Sequence, residues 1–168
     1  MSEREVVCRV AVPDDWTRIW PIVSAVLAGG DTYAYPPGTP EDVARTWWMR
    51  PGSDRSATFV AEVDGVVLAS AYLTPNHPGL GDHVANAGWM VAPGARGTGV
   101  GRRLADHVIE AARAAGYLGM QFNSVVATNA PAIALWESIG FRIVGTVPRA
   151  FRHRTEGLTA VHVMYRDL

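Results

Sequence analysis

The segment from Met90 to Leu104 constrains this chain more than any other, because it joins a strand-like run to a helix-like run through four glycines. The residues before it, His83 to Val91, suit a strand, and an apolar face with helical spacing runs from Leu104 to Ala115. A helix that begins this way leaves several backbone N–H groups without intrahelical partners, backed by the positive end of the helix dipole. The junction therefore predicts an anion site, at which glycine lets the backbone approach a phosphate closely.

Two familiar classes of phosphate loop do not fit this junction. All 15 basic residues of the chain are arginine, and the absence of lysine excludes a Walker P-loop, a Schiff-base nucleophile and an enzyme that holds its own pyridoxal phosphate. The dinucleotide pattern G-x-G-x-x-G fails as well, because Arg102 stands where a pattern starting at Gly97 requires glycine.

Charge is distributed unevenly along the 168 residues. Residues 1–94 contain six arginines and eleven acidic residues, whereas residues 95–154 contain eight arginines and three acidic residues. These counts give net charges of about −5 for residues 1–94 and +5 for residues 95–154, so the second segment is suited to binding an anion. The formal net charge of −1 disfavours a nucleic-acid partner.

Composition predicts one domain over residues 1–168, since 48% of the residues are hydrophobic and 18% are charged. No signal peptide is visible and no apolar run approaches the ~18 residues that span a bilayer, which favours a cytoplasmic protein without membrane contact. We predict no metal site. The single cysteine, Cys8, lies in an alternating apolar run and is predicted to be a buried structural thiol.

Periodicity and turn residues predict the element order βααβββαβαββ. Asp14 or Asp15 is expected to cap the first helix, and Asp64-Gly65 to form a two-residue hairpin turn. The predicted helices are Trp16–Leu27, Glu41–Met49, the segment around Leu104–Ala115, and Pro131–Ile139. The predicted strands are Val6–Val12, Ala57–Val63, Val66–Leu73, His83–Val91, Met120–Ala127, Phe141–Val147 and Leu158–Tyr165.

Two segments carry a family resemblance. Residues 96–101 match R-x-x-G-x-G, and residues 129–141 are similar to N-x-x-A-x-x-L-Y-x-x-x-G-F. Together they resemble the GCN5-related N-acetyltransferases (GNAT superfamily), and the element order extends the resemblance over nearly the whole chain, most weakly before residue 57. The resemblance implies a mixed α/β GNAT fold with a mostly antiparallel sheet of about seven strands, splayed at strands 4 and 5, and about four helices.

The resemblance also implies acetyl-CoA as the acyl donor. In the family, the strand before the glycine loop is bulged, and the pantetheine arm lies in the splay. The backbone of Trp89, Met90 and Val91 is then expected to pair with that arm and to polarise the thioester carbonyl. The remaining residues expected at coenzyme A are Arg96, Gly97, Thr98, Gly99, Val100, Gly101, Asn129 and Trp136. Asn129 also suits a helix N-cap, and the two roles are compatible.

The sequence does not identify the residues that would transfer protons in this reaction. The strand His83–Val91 contains no carboxylate to serve as the general base, and His83 at its start is more typical of a surface residue. Trp136 stands where the family commonly has a tyrosine that protonates the leaving thiolate, and an indole N–H cannot supply that proton at neutral pH. The general base is therefore unassigned.

Three segments resemble the branch that contains yeast azetidine-2-carboxylate N-acetyltransferases, which act on proline analogues: His83-x-x-Asn86-Ala87-Gly88, residues 122–129 and residues 135–141. In that branch, asparagines matching Asn86 and Asn123 contact the acceptor. The alternative for each is a polar strand residue satisfied by the backbone or water. Tyr33, Tyr35 and Trp89 are candidates for the pocket wall, with core packing as the alternative.

The resulting hypothesis is direct transfer of an acetyl group from acetyl-CoA to the amine of a small molecule, an amino acid or a proline-like imino acid. One alternative within the class is a protein N-terminal or antibiotic acetyltransferase. Other classes left open are a noncatalytic acyl-CoA-binding regulatory domain and a simple structural domain. The sequence does not determine the oligomeric state, and a homodimer is one of the possible states.

Overall fold

The structure is a computed structural model that describes residues 5–50, 52–53 and 55–168. Its elements follow the predicted order βααβββαβαββ. The helices are α1 (Trp16–Gly29), α2 (Glu41–Trp48), α3 (Val100–Ala114) and α4 (Ala130–Ser138). The strands are β1 (Val6–Val10), β2 (Ala57–Val63), β3 (Val66–Pro75), β4 (Val84–Val91), β5 (Gly119–Val126), β6 (Arg142–His153) and β7 (Gly157–Asp167).

The seven strands form one sheet in the order β1-β2-β3-β4-β5-β7-β6. Every neighbouring pair is antiparallel except β4 and β5, which run parallel. That parallel ladder is short, because it starts at Val84–Gly119 and ends at Asn86–Gln121, whereas β4 continues to Val91. The predicted mixed fold, with its splay between strands 4 and 5, is confirmed.

The bulge expected in β4 is not observed in its ladder with β3. The two strands keep one register from Pro75–Ala85 to Ala69–Val91. The irregularity beside the splay lies in β5 instead, where the register with β7 shifts between Phe122 and Val125. The sheet therefore parts through the departure of β5, while β4 stays straight against β3.

Strand β6 is longer than the predicted segment Phe141–Val147, which stopped at Pro148. The strand continues to His153 through a register shift between Val147 and Phe151, and Arg149 there has a φ of 55°. A proline is compatible with an edge strand or an irregular pairing, where its missing N–H is not needed. Since β6 is the last strand of the sheet, proline does not end it.

Each face of the sheet has its own apolar core. Helix α3 packs on one face, where Leu104, Val108 and Met120 are fully buried. The other face packs against α1 and α2, with Ile19, Val23 and Trp48 fully buried. Cys8 is only partly buried beside the first core, so the prediction of a buried thiol holds in part. No helix among the described residues has the length and apolar character needed to cross a membrane.

Asp15 does not cap α1 through its side chain, and the predicted capping role is wrong for this residue. Its carboxylate is 1% exposed and accepts a hydrogen bond from the Val12 N–H at 2.8 Å. It also forms ion pairs with Arg9 and Arg18, both of which contact Glu62. These arginine bonds hold the pKa of Asp15 far below its usual range. The group connects β1, β2 and the start of α1.

We expect Asp15→Asn to lower the free energy of unfolding by about 3 kcal/mol at neutral pH, because it removes the buried one of the two carboxylates that Arg9 and Arg18 share. The value lies at the low end for a broken buried pair because both arginine side chains reach solvent. The Asp15 pKa is lower in the folded state, so its contribution is complete above the unfolded value of about 3.9 and is lost as pH falls below it. Urea unfolding of both proteins from pH 7 to pH 3 would show a constant difference that narrows only below about pH 4.

Candidate active site

The backbone of β4 determines what the splay exposes. Ala92 N–H donates to Leu68 at 2.8 Å, and Asn76 N–H donates to Val84 at 2.8 Å, which fixes the hydrogen-bonded pairs of the β3–β4 ladder. In an antiparallel ladder the residues between such pairs point their N–H and C=O groups the other way. Trp89 and Val91 are two of these residues, and β5 no longer pairs with the strand at their level. Their backbone groups face the gap.

Asn86 lies where the two strands part. Its side-chain Nδ2 donates to the backbone oxygen of Gln121 at 3.0 Å, and its Oδ1 accepts from the Tyr72 hydroxyl at 3.3 Å. Asn86 and Gln121 form the last register pair of the β4–β5 ladder. The Asn86 amide thus adds a bond between the strands at the point where their backbones separate.

A cleft of about 590 Å³ occupies the splay and the adjoining helix ends. Of the predicted site residues, it brings together those of the β4 end, the glycine loop and the start of α4. Asn86, Asn123, Tyr33, Thr98 and Val100 are not part of its wall. The predicted residues in the wall are Trp89, Met90, Val91, Arg96, Gly97, Gly99, Gly101, Asn129 and Trp136.

The glycine loop turns sharply before α3. Gly97 and Gly99 have φ values of 77° and 86°, a left-handed conformation that side-chain-bearing residues rarely adopt. The Arg103 N–H donates to Gly99 at 3.0 Å, so the N–H groups from Gly99 to Arg102 precede this first turn of hydrogen bonds. A Cβ on Gly101 would lie 3.2 Å from the Val91 side chain. The loop therefore presents backbone donors close to the end of β4.

Two members of the loop have local structural roles. The Thr98 hydroxyl donates to the Ala95 carbonyl at 2.7 Å, and the Val100 side chain is 1% exposed in the core beneath α3. Their side chains hold the loop rather than line the cleft. Their contribution to an anion site is limited to the backbone.

Helix α4 brings a second N-terminus to the cleft. The Asn129 side chain accepts a hydrogen bond from the Ala132 N–H at 3.3 Å, which is the N-cap role considered for it. Asn129 and Pro131 also line the cleft. Since the cleft also borders the start of α3, two helix dipoles direct their positive ends towards it.

An aromatic cluster fills the α3 side of the splay. The Trp89 ring lies 5.3 Å from Phe122 and 4.8 Å from Trp136, measured between centroids. Phe122 stacks on Phe141 at 4.2 Å. Trp136, which occupies the family's tyrosine position, is therefore a packing residue that also lines the cleft.

Tyr33 approaches the splay from the opposite face. Its hydroxyl donates to the Trp89 carbonyl at 3.0 Å, which leaves the Trp89 N–H and both backbone groups of Val91 facing the gap. Burial raises the pKa of Tyr33 well above its ordinary value, so the hydroxyl stays a donor at neutral pH. Tyr35 is more exposed and stacks on Trp47 at 4.0 Å.

Asn123 and His83 lie outside the cleft. The exposed Asn123 side chain accepts from Gln121 at 2.8 Å and donates to Asn76 at 2.7 Å, which forms a chain of amides on the Tyr33 face. His83 is exposed, in keeping with the expectation of a surface residue.

Besides Arg102 and Thr128, which are next to predicted site residues, the cleft wall contains three polar residues that sequence reasoning did not identify. Asp31 and Thr32 follow α1, and His153 ends β6. No local motif marks them, and the only signal is their position after a helix end or within a hairpin. No group of three or more metal-ligating side chains occurs within the described ranges.

Comparisons with known proteins agree with this geometry. The sequence model of the acetyltransferase (GNAT) family matches residues 16–141. A solved GCN5-related N-acetyltransferase from Kribbella flavida is 48% identical and superposes with a TM-score of 0.93, covering 97% of this chain and 98% of that one. The YncA structure from Salmonella typhimurium, solved with its cofactor acetyl-CoA, is 22% identical with a TM-score of 0.86, covering 98% of this chain and 94% of that one, and shows the shared fold.

A yeast protein provides a further match. N-acetyltransferase aca1 from Schizosaccharomyces pombe is 38% identical over 86 residues, which is 51% of this chain. The aligned region covers 41% of the yeast protein, so this chain matches less than half of that relative.

We expect Tyr33→Phe to lower the free energy of unfolding by about 1–2 kcal/mol, because the Trp89 carbonyl loses its buried donor while the ring packing is kept. Tyr35→Phe is the matched control, since its ring is partly exposed and stacks on Trp47. Denaturant unfolding of both variants measures the difference. Equal stabilities for the two would show that the Tyr33 hydroxyl contributes nothing to holding β4.

Proposed function

Because this chain belongs to the acetyltransferase (GNAT) family, we propose that it transfers an acetyl group from acetyl-CoA directly to the amine of a small molecule. The observation that carries the proposal is the cleft at the β4–β5 splay, where unpaired β4 backbone groups meet the N-termini of α3 and α4. We assign this activity to one domain that extends over residues 1–168.

The cleft suits the phosphates and the arm of coenzyme A. The backbone N–H groups that begin α3, with Arg96 and Arg102 in the same wall, provide donors and positive charge for a pyrophosphate. The gap beside Trp89 and Val91 offers strand-like backbone bonds to the amides of the pantetheine arm. Acetyl-CoA supplies the activated thioester.

The N–H of Trp89 or Val91 is our candidate for polarising the thioester carbonyl. Attack by an amine places negative charge on that oxygen, and one preorganised donor contributes about 10²–10³ in rate. The ladder with β3 fixes the direction of these donors before any ligand binds. Tyr33 further restrains the Trp89 peptide through its carbonyl.

For the acceptor we propose an amino acid or a proline-like imino acid. The support is the similarity to N-acetyltransferase aca1 and the amides on the Tyr33 face. Asn86 and Asn123 already have protein partners, so contact with an acceptor requires them to share or exchange these hydrogen bonds. A protein N-terminus and an antibiotic amine are the alternatives within the same reaction.

The experiment is a transfer assay with acetyl-CoA and a panel of amines, with product identified by mass spectrometry. The panel contains azetidine-2-carboxylate, L-proline, L-alanine, kanamycin and a peptide with a free N-terminal alanine. Acetylation of azetidine-2-carboxylate or proline in preference to the others supports the proposed acceptor. Acetylation of the peptide or kanamycin alone replaces it with an alternative. No product from any amine, with acetyl-CoA bound, favours the noncatalytic acyl-CoA-binding domain.

We expect Gly99→Ala to weaken acetyl-CoA binding about tenfold or more, because a side chain at φ 86° is strained and relaxation redirects the N–H groups of the loop. Gly145→Ala is the matched control, since a Cβ there meets nothing within 4 Å and its φ is ordinary. Calorimetry with acetyl-CoA measures both affinities, and circular dichroism checks the fold. Unchanged affinity in a folded Gly99→Ala protein would remove the loop from the binding site.

A further inference from the structure

The cleft wall contains two side chains of the types that commonly act as general bases. Of the residues that line it within the described ranges, Asp31 is the only carboxylate and His153 is the only imidazole. Neither was identified from the sequence, which left the general base unassigned. The hydrogen bonds around these two side chains distinguish their roles.

His153 is arranged to donate rather than to accept. Its Nδ1 accepts hydrogen bonds from the backbone N–H groups of Thr155 and Glu156, each at 3.3 Å. A ring nitrogen that accepts carries no proton, so the neutral imidazole has its hydrogen on Nε2. The remaining nitrogen of His153 is thus a donor towards a ligand oxygen and has no lone pair to take a proton from an amine.

Asp31 is held in place by its own segment. Its Oδ1 accepts from the Thr32 hydroxyl at 2.9 Å, and a Cβ on Gly29 would lie 3.0 Å from that same oxygen. Two residues further on, Tyr33 is bonded to the Trp89 carbonyl. The carboxylate is therefore tied through one short segment to the β4 backbone that we assign to the thioester.

The hairpin between β6 and β7 contacts the end of α1 just before Asp31. The Arg154 N–H donates to the Gly30 carbonyl at 3.2 Å, and its guanidinium donates to the Ala28 carbonyl at 3.4 Å. The charged and titratable groups around Asp31 in the cleft, on the hairpin and on its own segment are Arg96, Arg102, His153, Arg154 and Tyr33.

We propose that Asp31 is the general base that deprotonates the acceptor amine, an inference that rests on the proposed acetyl transfer. A proton passes from the acceptor ammonium to the Asp31 carboxylate. The neutral nitrogen then forms a bond to the acetyl carbon, and the carbon–sulfur bond breaks. The amide nitrogen releases its second proton to solvent, and the coenzyme A thiolate leaves and takes a proton from solvent. An amine with a pKa near 10 is neutral in only about one molecule per thousand at pH 7, so a positioned carboxylate removes a large penalty.

The test compares Asp31→Asn and Asp31→Glu with Asp42→Asn, which removes an exposed carboxylate on α2 outside the cleft. The acceptor is the amine of the panel that the unaltered protein acetylates fastest. We expect Asp31→Asn to lower kcat by about 10²–10⁴ at pH 7 and to recover as pH rises, because solvent then deprotonates the amine. Asp31→Glu should restore part of the rate, and Asp42→Asn should match the unaltered protein.

Calorimetry provides a readout that does not depend on turnover. Asp31→Asn should bind acetyl-CoA with unchanged affinity and bind the protonated acceptor more weakly in the presence of coenzyme A. A rate that stays near that of the unaltered protein, or one lowered equally at every pH, overturns the role of Asp31 while leaving the acetyl transfer intact. Absence of turnover by the unaltered protein contradicts the proposed function itself, and the inference with it.

Discussion

The parting of β4 and β5 is the constraint on which the rest of the structure depends. Backbone N–H and C=O groups inside a sheet require partners, and β4 finds them on one side only beyond Asn86. The Trp89 carbonyl accepts from Tyr33, and the Trp89 N–H and both backbone groups of Val91 face the gap. The cleft is thus bordered by an incomplete part of the sheet, where β4 is still held by its continuous ladder with β3.

Side chains on both faces keep this gap in position. The aromatic cluster around Trp89 and Trp136 fills the α3 face, and Tyr33 bonds to β4 from the other. The Asn86 amide joins β4 to β5 at the point where the two strands separate. At the other end, Arg154 in the β6–β7 hairpin bonds to Gly30 at the end of α1. Contacts between residues far apart in sequence therefore hold both ends of the gap between β4 and β5.

Local patterns were sufficient for most of the fold and for the glycine loop and helix cap that border the cleft. The Asp64-Gly65 turn, the glycine loop and the Asn129 cap each depend on neighbouring residues, so the sequence alone could indicate them. Other features depend on pairing with distant segments. These are the unbulged pairing of β4 with β3, the length of β6 and the partners of Asp15. Asp31 and His153 reach the cleft only through such tertiary contacts, which no spacing in the chain records.

The positively charged side chains Arg96 and Arg102 in the cleft wall differ from lysine in their reactivity. Arg96 and Arg102 carry guanidinium groups, which are poor nucleophiles. A lysine in the same place would present an amine that an activated acyl group can modify, with loss of its positive charge. Because all 15 basic residues of the chain are arginine, its side chains offer no primary amine to a reactive thioester. Arg96 and Arg102 therefore keep their positive charge in the presence of an activated acyl group.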